Sequence, residues 1–130
     1  MARYFTREEA EKLLPQISIV LYNIQQEHTA MKAQEEELNV LETRARGNGY
    51  HLHERIAKLQ HELTRHIQAL RVLLMELERF GCELKDPMTG LIDFLSLRAG
   101  REVYLCWHLG EEGINYWHEL QAGFAGRQPL

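Results

Sequence analysis

The stretch from Leu52 to Gly81, LHERIAKLQHELTRHIQALRVLLMELERFG, decides the fold. Leu52, Ile56, Leu59, Leu63, His66, Leu70, Leu73, Leu77 and Phe80 follow one another at alternating steps of four and three. That is the spacing with which one helix buries a narrow stripe on another. Gly81 supplies a C-terminal stop, so a helix is expected over 51–80. Upstream, Gly47-Asn48-Gly49 is the strongest breaker of the first half, because these residues tolerate positive φ and propagate helices poorly.

The segment before that breaker reads as a second helix of the same kind, over 7–46. Thr6 followed by Glu9 forms a capping box, in which hydroxyl and carboxylate each take an orphan N–H of the first turn. Leu14, Ile17, Leu21, Ile24, His28, Met31, Glu35 and Leu38 continue the three-four alternation. Pro15 has no N–H to donate and clashes with the preceding turn, which predicts a kink or a restart near Leu14. Two such helices of about 30 residues joined tightly form an antiparallel hairpin, each arm roughly 45 Å long. Leu13, Val20, Leu41, Ile67 and Leu74 widen the stripe beyond one seam, so a further surface has to cover them. A homo-oligomer that pairs hairpins into a bundle meets that need.

Folding the hairpin at Asn48 brings His28 and His66 to similar heights in the seam. Either each ring packs and hydrogen-bonds a carboxylate such as Glu27, Glu35 or Glu62, or the two bridge a metal. His51-x-His53 reads as a solvated helix start.

The chain has 130 residues, 45% of them hydrophobic and 26% charged, which fits a single soluble domain over 1–130. No apolar run reaches the roughly 20 residues of a membrane-spanning helix, so no membrane partner is expected. A net charge of -4 argues against a nucleic-acid partner, which calls for a basic patch. The N-terminus carries no apolar signal region, and a cytoplasmic location is expected. Cys82 and Cys106 form no C-x-x-C pair and are expected as buried, reduced thiols.

After Gly81 the period becomes alternating. Cys82–Asp86 and Leu91–Leu95, separated by Pro87-Met88-Thr89-Gly90, predict a β-hairpin, and Glu102–His108 follows as a third strand after a second turn. The fold class is therefore α+β, mainly α: a helical hairpin, an antiparallel β-meander over 82–108, a short helix over 111–120 and a tail over 121–130. On the third strand Val103, Leu105 and Trp107 share the core face, and Glu102, Tyr104, Cys106 and His108 the other. Asp93 interrupts an apolar run, so it either faces solvent by alternation or is buried against Arg101 or His118. In the tail, Phe124 and Leu130 are candidate anchors that would let Arg127 meet a carboxylate.

In the short helix Glu111, Asn115 and His118, at i, i+4 and i+7, would lie in one narrow arc. With Asp93, the pair Glu111 and His118 makes a candidate site for one divalent metal ion, with an open position for water. No phosphate-binding loop, zinc-protease helix or nucleophile-elbow pattern occurs, so no catalytic residues are assigned.

Phe5-Thr6-Arg7-Glu8-Glu9-Ala10 with Leu13-Leu14-Pro15, then Gly100–Trp107, Tyr116-Trp117-His118-Glu119 and Gly123–Leu130, resemble the bacterial domain of unknown function 2203 family over essentially the whole chain. The resemblance implies a small cytoplasmic protein and supplies no catalytic residues. His108 stands where the family has a basic residue, and it is left out of the ligand set.

Two functions of different class follow. The first is an oligomeric interaction or scaffold module that binds another protein through its C-terminal third. The second is a metal-binding protein, or metal-dependent hydrolase, using Asp93, Glu111 and His118. A small-ligand pocket beneath Trp107 and Trp117 is a third arrangement.

Overall fold

The structure, a computed structural model, describes residues 3–48 and 52–130. Two long helices, α1 (Arg7–Asn48) and α2 (His53–Arg79), precede the strands β1 (Glu83–Asp86), β2 (Leu91–Arg98), β3 (Arg101–His108), β4 (Tyr116–Glu119) and β5 (Gln128–Pro129). A 3-10 turn at Phe124–Gly126 lies between the last two. The strands form one antiparallel sheet in chain order. The turn at Gly49 and the His51-x-His53 pair, through His51, lie outside the described residues.

The capping box forms as the sequence predicts: Thr6 N–H donates to Glu9 Oε1 at 2.8 Å and Glu9 N–H to Thr6 Oγ1 at 3.1 Å. α1 does not restart at Pro15 but runs unbroken through it. Pro15 lies on the exposed side, where water can serve the Glu11 carbonyl that loses its partner, while Leu14, Ile17 and Leu21 on the other side are buried. Gly81 ends α2 with φ +90. An alanine Cβ there would sit 2.7 Å from the Phe5 ring, so the position needs glycine for backbone and for space.

The expected three-stranded meander is a five-stranded sheet, and the short helix over 111–120 does not form. Ile114 to Glu119 is instead the approach to β4 and β4 itself, with Tyr104 paired to His118 and Leu105 to Trp117. Pairing to β3 sets Trp117 beside Leu105 on the core face of the sheet. The tail over 121–130 is anchored: Gln128 pairs with Trp117 in the sheet, and Leu130 N–H donates to the Asn115 carbonyl at 2.9 Å.

The sheet has two chemically different faces. Ile92, Phe94, Val103, Leu105, Trp107 and Trp117 join one apolar core with Phe5, Ala10, Leu14, Ile17, Leu21 and Ile24 of the first chain segment and Leu77 of α2. Both tryptophans are core residues, and a partly open, mostly apolar cleft lies beside Trp117, lined also by Phe5, Val103, Leu105 and Leu130 but not by Trp107. The opposite face carries Asp93, Leu95, Tyr104, Cys106, Tyr116 and His118 in register.

The core reaches only part of the helices. Its members on α1 stop at Ile24 and those on α2 begin at Leu70. Beyond them three polar pairs link the helices. His66 Nδ1 lies 2.6 Å from Glu27 Oε2, Gln34 donates to Glu62 at 3.1 Å, and Arg55 meets Glu37 at 2.7 Å. His66 thus takes the carboxylate partner that the sequence offers it, while His28 Nδ1 is buried without a partner.

Candidate functional site

The turn between β2 and β3 fixes the site. Ala99 and Gly100 both have positive φ, 52 and 79, as a two-residue hairpin loop of the tight, twist-matching type requires. With Arg98 opposite Arg101, the register carries back to place Asp93 opposite Cys106. β4 then adds its own register, Tyr104 opposite His118 and Cys106 opposite Tyr116. Side chains from three neighbouring strands therefore converge on the sheet face turned away from the helical core.

Asp93, Cys106 and His118 are 2%, 1% and 2% exposed, and one ligand atom from each lies within 4.8 Å of the others. Asp93 is buried against His118, the second of its two expected placements, with Asp93 Oδ2 3.0 Å from His118 Nε2. The other ring nitrogen, Nδ1, lies 2.7 Å from the Glu119 carbonyl. A carbonyl oxygen only accepts, so Nδ1 carries a proton and Nε2 is the nitrogen that meets Asp93. Asp93 Oδ1 is buried with no hydrogen-bond partner. Tyr104 packs its ring on that of His118, with centroids 5.5 Å apart.

Burial pushes the Cys106 thiol up to about 12, the negative charge of Asp93 adds to the effect and Arg127 opposes it. A thiol held protonated and 1% exposed is not a nucleophile, and both ring nitrogens of His118 are already engaged. Cysteine, histidine and aspartate meet here without the geometry of a catalytic triad, which needs the imidazole between base-orienting carboxylate and nucleophile.

Of the three sequence-predicted ligands, the structure brings Asp93 and His118 together and places Glu111 elsewhere. Glu111 accepts two bonds from Arg127, at 2.7 and 2.9 Å, and one from the His108 N–H at 2.9 Å. The reason is the missing helix: without it Glu111 and His118 no longer share an arc, and the loop before β4 folds Glu111 back toward the end of β3. Cys106 takes the third place. Its alternation on β3 set it opposite the core in the sequence, and the Ala99-Gly100 turn was the signal that would have paired it with Asp93.

No curated protein and no solved structure matches the chain. A family model matches residues 3–130, in agreement with the likeness of the opening segment and of the C-terminal blocks, and the chain belongs to the family described as Uncharacterized conserved protein (DUF2203).

Proposed function

We propose that the protein is an oligomeric interaction module, in which α1 and α2 form an antiparallel hairpin whose far half pairs with the same arm of a second copy. One observation carries this reading. Outside the part of the helices that the core reaches, Leu59 is the single buried apolar residue among the described residues of the arm. Met31, Leu38, Leu41, Ile56 and Leu63, spaced as a seam, remain half-buried, and Val40 and Ile67 are exposed. Two helices alone cannot enclose an apolar seam, whereas two hairpins packed as a four-helix bundle can.

The partner numbers support the antiparallel arrangement, since Glu27, Gln34 and Glu37 of α1 meet His66, Glu62 and Arg55 of α2 in descending order. In this reading the sheet is a rigid head and the arm is the contact surface, in a cytoplasmic protein whose cysteines are both free. A protein partner would meet the head. A hydrolase built on Asp93, Glu111 and His118 loses its support, because Arg127 occupies Glu111 and the Asp93–His118 pair is closed off from substrate.

Native mass spectrometry and light scattering of the untagged chain test the reading. A dimer or higher assembly is expected, and Leu63→Asp should yield a monomer that keeps its circular dichroism. Leu63 is the better position than Leu70, which packs against the core of the head. A wild-type chain that is monomeric at micromolar concentration, or an assembly that survives Leu63→Asp, would overturn it.

A further inference from the structure

We propose that Asp93, Cys106 and His118 hold one divalent ion of the zinc class, a site independent of the helical arm. The three donors are a carboxylate, a thiol and an imidazole on three adjacent strands, and their ligand atoms lie within 4.8 Å of one another. Tetrahedral coordination with bonds of about 2.0–2.3 Å needs ligand atoms roughly 3.3–3.8 Å apart, so side-chain adjustments of less than 1 Å suffice.

Two further observations point to a ligand rather than to a buried ion pair alone. First, Asp93 Oδ1 has no partner although the side chain is 3% exposed. A buried carboxylate oxygen left bare costs free energy, and a bound cation removes that cost. Second, the Glu119 carbonyl fixes the proton of His118 on Nδ1 and turns Nε2 toward the cluster. Metal-bound histidines are commonly held in this way, their second nitrogen donating to a backbone carbonyl that sets tautomer and ring orientation.

The donor set selects the ion. Thiolate and imidazole favour zinc and its neighbours, whereas magnesium and calcium take oxygen ligands. One thiolate and one carboxylate balance a charge of two, so the occupied cluster is neutral and can stay buried. The ion would fasten β2, β3 and β4 on the face that the helices do not cover.

The test uses the full untagged chain, incubated with zinc or with cobalt, desalted, and assayed for metal content. One ion per chain is expected, a higher melting temperature with zinc, and the thiolate-to-cobalt absorption in the near ultraviolet. Cys106→Ser should abolish that absorption and weaken zinc binding about a hundredfold or more, at least as much as losing the partner of a ligand does. Cys82→Ser, altering the cysteine outside the cluster, should leave both unchanged. Wild-type protein that retains no stoichiometric metal and gains no thermal stability from zinc overturns the proposal. So does cobalt–thiolate absorption that persists in Cys106→Ser and vanishes in Cys82→Ser. Should Cys106→Ser fail to fold, the wild-type metal content and cobalt spectrum still decide.

Discussion

Arg127 grips Glu111 through one guanidinium nitrogen at 2.7 and 2.9 Å, with both side chains largely buried at 12% and 15% exposure. The same guanidinium lies over Tyr116 at 4.1 Å and Phe124 at 4.8 Å, and donates to the Cys106 carbonyl at 3.3 Å. It ties the C-terminal tail to the loop before β4 and to β3. Removing the cation leaves Glu111 largely buried and without its counter-charge, so Arg127→Met should destabilise by about 2–4 kcal/mol. Urea unfolding measures this. Adding Glu111→Gln to Arg127→Met should recover part of the loss, and a double variant no more stable than Arg127→Met would show that packing, not charge, holds the tail.

The chain entering α1 is fastened to the sheet at one point. Phe5 N–H donates to the Leu95 carbonyl at 2.8 Å, and the buried Ser96 hydroxyl donates to the Phe5 carbonyl at 2.6 Å. Phe5 then packs edge-on against Phe94 with centroids 5.1 Å apart. Ser96→Ala should strip the Phe5 carbonyl of this donor and cost about 1–2 kcal/mol, the price of an unsatisfied buried acceptor. A change within error in thermal unfolding would mean that water replaces the hydroxyl.

Thr6→Ala tests the helix start. It removes the acceptor for the Glu9 N–H, and the loss should be about 1 kcal/mol. Glu9 gives an independent reading, because the Thr6 backbone and side-chain hydrogen bonds hold its carboxyl below the usual range. In Thr6→Ala the Glu9 resonance should titrate at higher pH, and an unchanged titration would count against the reciprocal cap.

The helices were legible because their signals are local. Thr6 and Glu9 are three residues apart, the Leu52-to-Phe80 series repeats within one element, and Gly81 stops it by its own backbone. β4 was not legible. Glu111, Asn115 and His118 have helical spacing, but Tyr116–Glu119 becomes a strand because β3 offers Val103–Cys106 as a partner, a relationship across ten or more residues. Two of the three residues of the candidate site were legible from local signals. Asp93 stood out as a carboxylate inside an apolar run, and His118 through a helical arc with Glu111 and Asn115 that the strand β4 replaces. Cys106 looks like any buried thiol until the Ala99-Gly100 turn sets the register that faces it to Asp93.

The two thiols offer a final check on burial. Loss of solvation is the leading cause that pushes both Cys82 and Cys106 from an ordinary value near 9 up to about 12. Three pH units make the reactive thiolate about a thousandfold scarcer in the folded, metal-free chain than in the unfolded one at pH 8. Alkylation should therefore be slow at pH 8 until denaturant is added, when both cysteines react. The folded pKa values lie above the unfolded ones, so the folded state keeps its thiol protons over pH 9–12 while the unfolded state sheds them. The stability contributed by the neutral buried thiols is present in full below about pH 9 and falls as pH rises toward 12. Cys82→Ala with Cys106→Ala should flatten that alkaline decline. Rapid native labelling of Cys106 at pH 8 would instead mean that the sheet face opens readily, and that the cluster behind it is not closed.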